Sequence, residues 1–285
     1  MSSHRRAALL VLAMTALVGA SACRREPPAR QFPLTGQVLA VSADGREITI
    51  RHDDVKGFMP AMVMPFKVKE AGATKGRLPG DLVKATLFVT DEDAWLEGLE
   101  KTGWAPFPEK TGAATPAVTL LKEGEALPDE TLIDQDGRAF RLSSLKGSPL
   151  LLTFIYTRCP LPNYCPLMDR HFQAIQQSIK EGRAPSGLRL VSVSFDTDYD
   201  TPAVLKAHAQ RVGADPHVWT FATAPAAQVE ALGNRLGLSV IRDPKDPISI
   251  THNLRTAVVD RQGRLVTVLN ANDWTPRQAL EALGR

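Results

Sequence analysis

Two rhythms of apolar and polar positions divide the chain. From Leu34 to about Gly103 the alternation is short, in runs such as "TGQVLAVS", "REITIRH", "MPFKVKE" and "DLVKATLFVT". Period-two alternation marks strands with one buried face, and Asp44-Gly45 and Pro79-Gly80 supply turn signals between them. The stretch therefore predicts a small all-β barrel of about five strands over 34–103. Residues 104–117, "WAPFPEKTGAATPA", lack periodicity and read as a linker. Beyond it, over 118–285, continuous apolar runs such as "SPLLLTFIYT" and "GLRLVSVSFD" alternate with helical patterns such as "PLMDRHFQAIQQSIKEG" and "TPAVLKAHAQRVG". Strands that are apolar throughout need a sheet covered on both faces, so this half is predicted to be α/β. Near the end "RTAVVDRQGRLVTVL" reads as a hairpin turning at Gln262-Gly263, and "TPRQALEALGR" as a closing helix.

Length agrees with two domains, since 285 residues exceed the roughly 150 of a typical one. The first residues add an address. Two arginines precede an apolar run from Ala7 to Gly19, and "ASAC" sets small residues before Cys23, the layout of an export leader over 1–22. The apolar run is too short to span a bilayer. A cysteine at the cleavage point resembles a bacterial lipobox, which implies that Cys23 is acylated, becomes the mature N-terminus and ties a periplasmic protein to a membrane. Without the leader, 32 basic side chains face 31 acidic ones, a net charge of +1 that gives no footing for nucleic acid.

With Cys23 acylated, the mature chain keeps Cys159 and Cys165 as its thiols, in "TRCPLPNYCPLM". The pair lies where a strand hands over to a helix that can begin near Pro166, so helix amides can stabilise a thiolate there, with Arg158 beside it. Three chemistries are open. A structural disulfide would close a very small loop and restrict the unfolded chain little. A thiol–disulfide couple of the thioredoxin kind usually has two residues between its cysteines, and here there are five. A metal site needs more ligands, and one histidine would complete a Cys, Cys, His set suited to Cu(I) or Cu(II). Pattern alone does not choose among His52, His171, His208, His217 and His252.

The runs "LLTFIYTRCPLPNYCPLM", "VSVSFDTDYDTPAVLKAHA" and "ISITHNLRTAVVDRQGRLV" together resemble the Sco/SenC family of copper-binding proteins over about Lys122 to Arg285. The resemblance implies a thioredoxin-like fold and copper ligands Cys159, Cys165 and His252, the histidine lying in a loop before a late strand. It also implies metallochaperone work rather than enzyme catalysis: copper delivery to the copper A centre of a respiratory oxidase or another periplasmic copper protein, or upkeep of that centre's cysteines by thiol–disulfide exchange. The usual family loop has three residues between the cysteines, whereas this one has five, "PLPNY".

The first domain carries "HDDVKGFMPAMVMPF". Met62 and Met64 lie two apart and share one face of a strand, and His52 reaches them from the preceding strand. Thioethers bind Cu(I) without losing a proton, although a methionine run can equally be flexible packing. The stretch resembles the CusF-like copper-binding barrel, whose one histidine and two methionines match His52, Met62 and Met64. Met59 replaces that family's capping tryptophan and becomes a candidate fourth ligand. A third use of so much copper chemistry is sequestration for resistance.

Overall fold

The computed structural model describes residues 28–42, 44–106, 119–243 and 246–284. The leader over 1–22, Cys23 and most of the 104–117 linker lie outside the described residues. Strands β1 (Arg30–Val41), β2 (Glu47–His52), β3 (Met62–Val68), β4 (Asp81–Val89) and β5 (Ala94–Trp104) close a barrel in the order β1-β2-β3-β5-β4. The alternation in sequence becomes alternation in burial. Ile48, Ile50 and His52 on β2 pair with Phe66, Met64 and Met62 on β3, and all six are buried on one face. Leu34, Val38, Leu87 and Leu96 fill the rest of that interior.

The second domain is built on a seven-stranded sheet in the order β14-β13-β8-β9-β10-β6-β7. Its members are β6 (Thr131–Asp134), β7 (Ala139–Arg141), β8 (Leu150–Ile155), β9 (Arg189–Ser194), β10 (Trp219–Thr223), β13 (Arg255–Val259) and β14 (Leu265–Asn270). Helices α1 (Cys165–Lys180), α2 (Pro202–Arg211), α3 (Ala226–Arg235) and α4 (Pro276–Ala282) accompany them. All six residues of β8 are buried, as its run "LLLTFI" requires of a central strand. The predicted hairpin is β13–β14, with Gly263 at positive φ in its turn, and the closing helix is α4, opened by a capping box from Thr275 and Gln278. A separate hairpin, β11 (Val240–Asp243) with β12 (Asp246–His252), stands apart from the sheet. His252 is thus the last residue of a strand, not a loop residue as the sequence reading had it.

β3 meets β5 in parallel at Lys67↔Trp95 and Val68↔Leu96, beyond its methionine end. At the methionine end its outward backbone groups turn to the second domain. The Val63 N–H donates to the Thr251 hydroxyl of β12 at 2.8 Å, and the Tyr164 hydroxyl donates to the Pro65 carbonyl at 2.8 Å. The Asn163 amide donates to the Ala94 carbonyl at 3.3 Å, and the Arg170 guanidinium to the Glu92 carbonyl at 3.0 Å. The two domains therefore meet at β3 and at the start of β5.

Candidate metal centres

The cysteine loop leaves the sheet at the end of β8 and is pinned before it reaches the first cysteine. The Thr157 N–H and hydroxyl both donate to Asp200, a fully buried carboxylate that also accepts from the Ser194 hydroxyl. Cys165 is the first residue of α1, with Pro166 in the first turn, where a proline sacrifices no helix hydrogen bond. Both cysteines are free thiols, Cys159 partly exposed and Cys165 buried.

His252 completes a cluster with them. The two sulfurs and a ring nitrogen of His252 all lie within 4.8 Å of one another. Nδ1 of His252 donates to the Asn253 carbonyl at 2.9 Å, which turns Nε2 to the cysteines, where it hydrogen-bonds Cys159 and can take a metal in place of that proton. The ring is held by Phe195, Tyr156 and Tyr164, with centroids 4.8, 5.4 and 6.0 Å away. Burial pushes both thiols upward in pKa. At Cys159, hydrogen bonds from Cys165 and His252 outweigh burial and bring the thiol well below its ordinary value. Cys165 stays well above, raised by burial, then by its hydrogen bond to Cys159 and by the charge there. The pair thus holds one thiolate readily and gives up a second proton when a cation arrives to balance the charge.

Arg158 does not act as the sequence suggested. Its guanidinium is engaged by Asp196, Nε to Oδ2 at 2.7 Å, and stacks on Tyr199 at 4.3 Å. The remaining histidines are committed or distant from the cluster. His208 bonds Asp169 at 2.8 Å, His171 packs edge-on against Trp274, and His217 lies at an exposed turn. Asp169 was not foreseen. It sits four residues after Cys165 on α1, buried, and its carboxyl is raised in pKa by burial against the opposing pull of His208. The i, i+4 spacing is its only trace in the sequence.

In the barrel, His52 ends β2 directly across from Met62, and Met64 follows on the same buried face. Nδ1 of His52 bonds the Asp53 carbonyl at 2.8 Å. Nε2 is buried and has no hydrogen-bond partner. Burial lowers the pKa of this ring, so it is neutral with a lone pair facing inward. An orphaned acceptor beside two thioethers is a donor set that a soft monovalent cation fits. Met59 is also buried, in the β2–β3 connection, where its backbone bridges Val55 in both directions at 2.9 and 3.0 Å.

Comparison with protein-family models matches residues 123–285 to SCO1/SenC and residues 31–101 to the copper binding periplasmic protein CusF. The SCO1 protein homolog of Bacillus subtilis strain 168 is 27% identical over 147 residues, 51% of this chain and 74% of its own length. A SCO1/SenC family lipoprotein of Bacillus anthracis shares the fold, with a TM-score of 0.50 and 23% identity over 59% of this chain and all of its own. The copper-bound ScoI of Bradyrhizobium japonicum is 27% identical over 57% of this chain and 99% of its own, with a TM-score of 0.47. No helix among the described residues is long and apolar enough to cross a membrane.

Proposed function

The chain belongs to the SCO1/SenC family, and from that membership we propose that it is an exported copper chaperone with two metal sites. Copper is its cargo. The observation that carries the reading is the convergence of Cys159, Cys165 and His252 from a loop, a helix start and a strand end onto one point. Two thiolates and an imidazole accept Cu(I) or Cu(II). His252 Nε2 is aimed by the Asn253 carbonyl, the three aromatic rings keep water from the histidine side, and partly exposed Cys159 offers the way in and out. His52, Met62 and Met64 form the second site, selective for Cu(I), with Met59 near enough in sequence to join them. The recipient on this reading is the copper A centre of a respiratory oxidase or a comparable periplasmic copper protein. A lipid on Cys23 would hold the chaperone at the membrane where that recipient sits.

The unequal cysteines support a second reading, thiol–disulfide exchange. The Cys159 thiolate would attack a disulfide sulfur, expel the partner thiolate, and then be released by Cys165 as their own bond closes; the two electrons pass to the partner. One titration separates the readings. The reduced mature protein should take up two Cu(I) per chain; Cys159→Ser with Cys165→Ser should remove one, and Met62→Leu with Met64→Leu the other. His252→Ala should weaken Cu(II) binding and change the thiolate-to-copper absorption. Unchanged affinity and absorption in His252→Ala would mean that His252 is not a ligand, and a reduced protein whose cysteines take up no copper would leave only the exchange reading.

A further inference from the structure

Three hydrogen bonds that tie the barrel to the second domain come from a residue next to a candidate copper ligand or from the segment between such ligands, and a fourth, from Arg170, also holds that segment. Thr251 precedes His252 and grips the N–H of Val63, which stands between Met62 and Met64. Tyr164 precedes Cys165 and grips the carbonyl of Pro65, which follows Met64. Asn163 in the cysteine loop reaches the Ala94 carbonyl at the start of β5. Arg170 donates at once to the Glu92 carbonyl of the barrel and, at 2.9 Å, to the Pro162 carbonyl of the cysteine loop. An odd-numbered residue of β3 turns its backbone groups away from β2, and it is on this outer edge that the hydroxyls of Thr251 and Tyr164 sit.

Building on the two-site reading, we propose that Thr251 and Tyr164 are docking residues that close the two copper sites onto each other, so that Cu(I) passes directly between them. The spans are short enough. Adding covalent lengths on both sides of the Val63–Thr251 bond puts the Cα atoms of Met62 and His252 within roughly 12 Å of each other. That span is comparable to the combined length of a Met and a His side chain, each about 5 Å. The transfer is ligand exchange without electron transfer. Bonds from Cu(I) to the thioethers and to His52 break, bonds to the Cys159 and Cys165 sulfurs and to His252 form, and any proton still on a sulfur leaves to solvent. Docking makes this step independent of diffusion and hides the ion from competing ligands, which a flexible tether alone does not do.

Tyr164→Phe with Thr251→Val removes two hydroxyls and keeps both shapes. The test starts from full-length mature protein whose cysteines are closed as a disulfide and whose barrel is loaded with Cu(I); a phosphine reductant then opens the cysteines under a soluble Cu(I) chelator. Wild type should form the thiolate–Cu(I) absorption at a rate independent of protein concentration, with little copper lost to the chelator. The variant, loaded to the same Cu(I) occupancy in the barrel, should transfer about 10- to 100-fold more slowly, losing copper to the chelator meanwhile. Amide exchange at Val63 should accelerate in Thr251→Val alone, which reports undocking without any metal. Equal transfer rates and equal interception in wild type and variant would overturn the proposal. A barrel that takes up no Cu(I) in either protein would instead overturn the two-site reading, an outcome visible before the reductant is added.

Discussion

Replacing His52 by leucine should stabilise the metal-free barrel and at the same time abolish its Cu(I) site. Two terms of opposite sign set the balance. The substitution loses the hydrogen bond from Nδ1 to the Asp53 carbonyl, 2.8 Å long, a net loss of about 1 kcal/mol, and leaves that carbonyl on an exposed residue where water can reach it. It also removes Nε2, a buried acceptor without a partner whose desolvation costs about 1–3 kcal/mol. Leucine is close to histidine in volume and meets the same apolar neighbours, among them Phe66, whose ring now stands edge-on 5.6 Å from the imidazole. The net expectation is a gain of about 0–2 kcal/mol in the metal-free state.

With Ag(I) as the redox-inert probe at a hundredfold its dissociation constant, wild type should gain about 2.7 kcal/mol and the variant nothing, so the order of stability reverses. Amide hydrogen exchange over β2 and β3 in the mature chain, with and without Ag(I), measures both quantities as local opening free energies. A loss of more than about 1 kcal/mol in the metal-free variant would mean that Nε2 is satisfied in the fold and that the histidine is structural. Equal Ag(I) protection in the two proteins would remove His52 from the site.

Gly36 pairs with His52 across β1 and β2, and a Cβ there would stand 2.4 Å from the Arg51 carbonyl and 2.7 Å from the His52 Cα. Gly36→Ala should therefore force the strands apart, cost about 1–3 kcal/mol and weaken Ag(I) binding, while Gly103→Ala, whose Cβ would meet nothing closer than 3.6 Å, should leave both intact; denaturant titration and silver titration read the two effects. Burial lowers the pKa of His171 to about 4, so between pH 6.5 and about 4 the unfolded chain binds a proton that the folded chain refuses. Stability should fall as pH drops through that window, by at most about 1.4 kcal/mol per pH unit and less because the ring is only partly buried, and His171→Phe should flatten this part of the profile in pH-dependent denaturation.

Much of the architecture was legible because burial and periodicity coincide. β2 and β8 show it at the two extremes, one strictly alternating and one buried throughout with Thr153 as its single polar residue. The β11–β12 hairpin was not legible, since "IRDPKDPISI" carries the prolines and aspartates of a loop and neither strand joins the main sheet. β5 was blurred by Gly98 at positive φ and by the charges at Glu97, Glu100 and Lys101. The cysteine pair and the methionine pair announced themselves by spacing. His252 did not, because its distinction from four other histidines lies in tertiary convergence, and only the family resemblance pointed to it. The hydroxyls of Thr251 and Tyr164 carry no local signal at all, since what they bond is the backbone of a strand nearly a hundred residues or more away in sequence.

The one point at which this chain departs from its family's cysteine spacing coincides with the place where its two domains meet. Of the five residues between Cys159 and Cys165, Leu161, Asn163 and Tyr164 are buried to 1%, 4% and 4% exposure, which is unusual for so short a loop rich in proline. Pro162, Asn163 and Tyr164 are the members that face the barrel, directly or through Arg170. The loop still returns Cys165 to the start of α1 within ligand distance of Cys159, so the extra length does not open the site. It projects sideways instead and ends on β3 and β5. A three-residue loop has enough chain to bring two sulfurs together but lacks the residues that reach across. The added length therefore fits a chain in which the cysteine loop also packs against the barrel.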